Sequence, residues 1–238
     1  MSGRKPTFLI AGDPGNRNTR SDPLLRAVFE SCGVSSPSIA YIGAASNDNR
    51  VFFGWVSGYF RKSGSGGVTL APTVRQFERR SFEKACEAAD AIFISGGDVE
   101  EGMNVVARRS LAPFLSELYR GGKLLFGLSA GSIMLARAWV RWKDDDDSLG
   151  GLFPCLGIAD ILCDVHGEKE NWGELRALLQ LSPDSSIGYG IRAGATIRVD
   201  PDGTVEPMGK IDRFVKRRKV VPVSSLSPEH RRQAVRTG

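Results

Sequence analysis

Leu124-Leu125-Phe126-Gly127-Leu128-Ser129-Ala130-Gly131-Ser132-Ile133 is the stretch on which the fold turns. Leu124 to Phe126 is a short apolar run that reads as a buried strand, and Ile133 to Ala138 reads as the start of a helix. Between them, Gly127-Leu128-Ser129-Ala130-Gly131 fits the pattern G-x-S-x-G. The setting matters more than the five letters. A serine on a tight strand-to-helix turn has a strained backbone, and small residues two positions to either side avoid collisions. The helix that follows aims its first amides at a developing oxyanion. Ser129 is therefore a candidate nucleophile and the Ala130 amide a candidate oxyanion donor. A strand-helix turn with a small capping serine is the plain structural alternative.

Upstream, short β-rich runs alternate with helical patterns. Thr7 to Ala11, Ile39 to Ile42, Val68 to Leu70 and Ala91 to Ser95 read as strands. Pro23 to Phe29 with Asp22 as cap, Val51 to Phe60, Ser81 to Ala89 and Leu111 to Tyr119 read as helices. This alternation predicts an α/β fold, a doubly wound and mostly parallel sheet with helices on both faces. After residue 140 the character changes. Asp144 to Asp147 reads as an acidic loop and Asn171 to Leu179 as a helix. Ile187 to Ile191, Ala195 to Val199 and Val205 to Met208 read as closing strands, with a hairpin turn at Asp200-Pro201-Asp202-Gly203.

A nucleophilic serine needs a base. The chain has two histidines, and His230 lies in a basic C-terminal segment. His166 ends the apolar run Ile158 to Val165 and opens a polar loop, at a strand end where catalytic groups gather in open α/β sheets. A second loop, Ser95-Gly96-Gly97-Asp98, follows another buried strand. Glycines there let backbone approach a substrate, so Gly97 is a candidate second oxyanion donor; a tight βα turn is the plain alternative.

The 238 residues suffice for one substantial core. No apolar stretch is long enough to span a bilayer, and residues 1–6 lack the apolar run of a secretory signal. Cys32, Cys86, Cys155 and Cys163 lie far apart and form no CxxC pair, so reduced thiols in a cytoplasmic protein are expected. No residue pattern asks for a metal or cofactor. The net charge of +5 is uneven: residues 210–238 hold nine basic and two acidic residues, which is +7 and leaves −2 for the rest. Without interleaved aromatics or a recognition motif this does not mark a nucleic-acid binder. It divides the chain into a single α/β domain over 1–209 and a solvated tail over 210–238. A homodimer is left open.

Taken together, the elbow, the Gly96-Gly97 loop and Asp164-Val165-His166 resemble the peptidase E family of serine peptidases (aspartyl dipeptidases), with cyanophycinase as a relative. The resemblance follows the order of elements over residues 7–208 and implies a fold similar to class I glutamine amidotransferases, with serine as nucleophile. It also implies a role for Asp144, whose spacing from Ser129 matches an important aspartate of that family. Two features depart from the family. Its dipeptidases have Gly-x-x-Glu-Gly where this chain has Gly190-Ile191-Arg192-Ala193-Gly194, so the supporting carboxylate is replaced by Ala193. The arginine that reads an N-terminal aspartate has no match after His166. Asp144, Glu168 and Glu170 are the candidates to orient His166. The resulting expectation is a serine hydrolase cleaving small peptide or amide substrates through an acyl-enzyme. The alternative is a catalytically impaired binding module on the same fold.

Overall fold

The computed structural model describes residues 3–12, 22–143, 146–217 and 219–227. The first half alternates as the periodicity predicts: β1 (Thr7–Ile10), α1 (Pro23–Glu30), β2 (Ser38–Ile42), a 3-10 turn at Ala44–Ser46, α2 (Arg50–Lys62), β3 (Gly67–Ala71), α3 (Arg79–Ala88) and β4 (Ala91–Ile94). Asp22 caps α1 through the Leu24 amide (2.9 Å), as read from the sequence. The start of α3 differs from that reading. Its cap is Glu78, whose carboxylate accepts from Arg80 N and Ser81 N, so Ser81 lies inside the helix.

Then come α4 (Val99–Arg108), α5 (Ala112–Arg120), β5 (Leu124–Leu128) and α6 (Ala130–Leu135). The helix expected over residues 133–138 stops at Leu135, and the chain turns into a two-stranded ribbon, β6 (Ala138–Lys143) with β7 (Asp146–Pro154). Part of the expected acidic loop therefore belongs to a strand, which opens at Asp146. The chain continues through β8 (Leu162–Val165), α7 (Gly173–Gln180), β9 (Ile187–Ile191), β10 (Thr196–Val199), β11 (Val205–Met208), β12 (Ile211–Lys216) and β13 (Val220–Leu226).

The main sheet runs β11-β10-β1-β5-β4-β2-β3. β1, β5, β4, β2 and β3 are mutually parallel, and β10 and β11 extend the sheet antiparallel beside β1. Both faces are covered, which is why β1 and β4 are buried at every position. Phe8, Ile10, Phe93 and Phe126 point toward Leu25, Val28 and Phe60 of α1 and α2. Leu9, Ile92, Ile94 and Leu125 point toward Phe82, Val106, Leu115 and Ile133 of α3 to α6. The α/β architecture with a mostly parallel sheet and helices on both faces is thus the observed one.

A second sheet, β13-β12-β9-β8, corrects the expected boundary after residue 209. β12 pairs with β9 from Ile211↔Ile191 to Val215↔Ile187, and β13 pairs with β12. Ile211 joins the main core, while Phe214 joins a separate cluster with Leu162, Trp172, Leu175 and Leu179. One buried residue on each face, Ile211 and Phe214, with Val215 the one further apolar residue among Asp212, Arg213 and Lys216, gives neither a run nor an alternation, so this strand reads as part of a tail. Residues 228–238, including His230, lie outside the described residues.

Candidate functional site

The site is built where β5 ends. Ser129 has φ 52° and ψ −119°, on the positive-φ side that costs a non-glycine residue about 1–3 kcal/mol. The turn is held in that form by its neighbours. Ser129 N donates to Ile10 O at the end of β1 (2.8 Å), and Ser132 Oγ lies 2.9 Å from both Ile10 O and Gly127 O. The motif's glycines answer to packing. A Cβ on Gly127 would lie 2.4 Å from Gly131 C, and one on Gly131 would lie 2.1 Å from Ile94 O. Both obstacles are backbone and cannot step aside. Gly131→Ala is therefore expected to leave little folded protein, whereas Gly173→Ala, with no atom within 4 Å of its Cβ, is expected to melt within about 1 kcal/mol of the parent. Thermal melts of the two variants check this, and a normally folded Gly131→Ala would show that the turn has room to relax.

His166 follows β8 and also has a positive φ, 44°. Its amide donates to Ile191 O at the end of β9 (2.8 Å), which sets the loop against the second sheet. The consequence is the central contact of the site: Ser129 Oγ lies 2.8 Å from Nε2 of His166. Serine and ring are thus brought together from two different sheets. For Nε2 to accept the serine proton, the ring proton must sit on Nδ1.

The Gly96-Gly97 loop lies alongside. A Cβ on Gly96 would sit 3.3 Å from Ser129 Cβ, and one on Gly97 (φ +143°) would sit 1.9 Å from Ala45 O. Asp98 N, not Gly97 N, is spent on Ala45 O (2.8 Å), and Asp98 caps α4 through Glu101 N. Gly96 is thus the residue of this loop that abuts Ser129, the exposed Gly97 follows it, and Ala130 opens α6 directly after Ser129.

Asp144 lies outside the described residues. Glu170 is exposed. Glu168 is half-buried, and its Oε1 accepts from Ala193 N (3.2 Å). Ala193, at the end of β9, contributes no carboxylate of its own. Asp164, two residues before His166, is buried and is not free to help. It accepts from Val165 N and faces the Leu175 amide near the start of α7, while desolvation, reinforced by Glu174, pushes its carboxyl up to about 7.

Three supporting residues carried no sequence signal strong enough to single them out. Trp172 is buried between the His166 loop and β9: a Cβ on Gly167 would meet its ring at 3.1 Å and one on Gly190 at 2.7 Å. Its indole N–H donates to Asp212 Oδ2 (2.9 Å), and Arg192 holds the same carboxylate with two bonds, at 2.8 and 3.0 Å. Asp212 of β12 thus clasps both arms that carry His166. The one trace of this in the sequence is a lone acid amid Lys210, Arg213, Lys216, Arg217, Arg218 and Lys219.

The thiols play no such part. All four are free, and burial pushes Cys32 up to about 11 and Cys86 and Cys155 up to about 12, so they stay protonated at neutral pH. Among the described residues no group of three or more His, Cys, Asp or Glu converges to hold a metal, and no helix is long and apolar enough to cross a membrane.

Comparison with known proteins agrees with this fold. The model of peptidase family S51 matches residues 8–206. The cyanophycinases of Nostoc sp. and Trichormus variabilis are each 26% identical over 215 residues, covering 87% of this chain and 72% of theirs. A peptidase from an acI-B1 actinobacterium has a similar fold, with TM-score 0.70 at 17% identity over 95% of this chain and 98% of that one. So does a putative peptidase E protein from Listeria monocytogenes, with TM-score 0.63 at 13% identity over 86% and 98%. The match spans the strand that ends in Ser129 and the strand that ends in His166, and the chain belongs to peptidase family S51, a family of serine-type peptidases.

Proposed function

We propose that the protein cleaves small peptide or amide substrates through an acyl-enzyme on Ser129. The observation that carries this reading is the 2.8 Å contact between Ser129 Oγ and His166 Nε2 at the tip of a strained strand-to-helix turn. In the first half-reaction Nε2 takes the hydroxyl proton as Oγ bonds to the substrate carbonyl carbon. The N–H groups of Gly97 and Ala130 are the donors we assign to the resulting oxyanion. Nε2 then returns the proton to the leaving nitrogen as the C–N bond breaks. In the second half-reaction water gives its proton to Nε2 and attacks the acyl carbon, and Oγ leaves with that proton.

A binding module that has lost catalysis is the second reading, and Ala193 in place of a family carboxylate favours it. A fluorophosphonate probe separates the two. Wild-type protein is expected to label at one site, and Ser129→Ala to lose the label while melting normally. Folded wild-type protein that resists the probe across a range of pH would overturn the hydrolase reading.

A further inference from the structure

The resting site contains an unmatched donor and an unmatched acceptor two residues apart. With Nε2 of His166 engaged by Ser129, the Nδ1 proton needs an acceptor, and no hydrogen bond among the described residues supplies one. Glu168 presents the complement. Its Oε1 is anchored on Ala193 N, while its Oε2 is enclosed and has no donor among the described residues. An enclosed carboxylate oxygen without a donor is costly and calls for a partner. Among the neighbouring charges, Arg192 is doubly bonded to Asp212 and also feels the Glu168 carboxylate without a hydrogen bond to it, and Asp164 faces the amides of Val165 and Leu175. Gly167 alone separates the two side chains, and the amide bonds to Ile191 O and from Ala193 N fix both ends of the segment on β9.

We propose that Glu168 is the positioning residue for His166. Its Oε1 remains on Ala193 N, and its Oε2 accepts the Nδ1 proton once substrate closes the site, as catalytic hydrogen bonds commonly tighten on binding. The carboxylate that Ala193 lacks is thereby delivered to the same strand end from the His166 loop. This rests on the hydrolase reading above, and the test separates the two. The second-order rate of fluorophosphonate labelling of Ser129 is measured against pH for Glu168→Gln, Glu168→Asp, Glu170→Gln and Asp144→Asn. The ring pKa of His166 is followed in parallel by NMR, with His166→Ala assigning its signal against that of His230.

Glu168→Gln retains an acceptor for Ala193 N, so its fold should hold. It is expected to slow labelling about 10- to 1,000-fold and to lower the His166 pKa in the probe adduct, because a carboxylate stabilises the imidazolium. Glu168→Asp should keep part of the rate, and the loss in Glu168→Gln should exceed the losses in Glu170→Gln and Asp144→Asn. A Glu168→Gln protein with unchanged labelling and unchanged ring pKa overturns the proposal, as does a larger effect from Asp144→Asn. If wild type itself never labels, the hydrolase reading falls; a free-protein His166 pKa that Glu168→Gln leaves unchanged then overturns the Glu168 proposal as well, because a carboxylate poised beside the ring stabilises its imidazolium.

Discussion

His166→Ala is expected to slow acylation of Ser129 by about 100- to 10,000-fold, the range that general-base assistance commonly supplies. The effect should be confined to chemistry. The ring is exposed and its contact is with Ser129 Oγ, so truncation opens no cavity in the core. The backbone bond from residue 166 to Ile191 O does not involve the side chain and survives the change. Thermal stability should therefore move by less than about 1 kcal/mol. The residual rate should lose the pH dependence associated with an imidazole base, and added imidazole should restore part of it. Labelling kinetics from pH 5 to 9, with and without added imidazole, beside a thermal melt, give all four readings. A variant that acylates at nearly the parental rate would remove His166 from the reaction.

The second large effect concerns stability. Phe214→Ala should destabilise the protein by about 3–5 kcal/mol, the usual cost of truncating a buried phenylalanine. Phe214 is 3% exposed and packs among Leu175, Leu178 and Trp172 with the Arg176 guanidinium 4.7 Å from its ring centre. In a chain of this size that corresponds to a fall of roughly 6–20 °C in Tm. Removing residues 215–238 should do at least as much damage, since it takes away β13 and the last residues of β12. A tail in solvent would give the opposite result, so a truncated protein that melts like the intact chain would show that the second sheet stands without its hairpin.

What the sequence revealed and what it hid follow from range. The strands of the main sheet are continuous apolar runs because both faces are buried, and each could be read in isolation. Ser129 was legible because a tight turn imposes glycines at fixed offsets, and Gly127 and Gly131 prove to be packed against backbone on both sides. His166 was legible because so few histidines compete for the role. Helix α4 has an acidic start in Asp98, Glu100 and Glu101, but the glycine-rich turn Ser95-Gly96-Gly97-Asp98 before it and Gly102 within it mask that signal. The ribbon of β6 and β7 was hidden behind four consecutive aspartates. The clasp of Trp172, Arg192 and Asp212 joins positions up to 40 residues apart, and no local pattern records such a contact. The position of Glu168 on Ala193 N is of the same kind: it arises from how two loops meet, not from the letters in either.

Ser129 and His166, the nucleophile and base we propose, also become available at different moments of synthesis. Once β5 has been made it can join β1 and β4, and the Ser129 amide can reach Ile10 O with little over half the chain in place. The loop that aims His166 has no comparable early support. It leans on β9, β9 leans on β12, and Asp212 must arrive before Trp172 and Arg192 are tied together. β10, made before β12, pairs with β1 along Thr7↔Val199 to Ile10↔Thr196, a contact spanning most of the sequence. Pairings of such high contact order form slowly, because their loop-closure entropy is paid before they are rewarded. A nascent chain therefore holds its serine long before it holds a properly aimed imidazole, and competence to cleave peptides comes only as the final sheet closes.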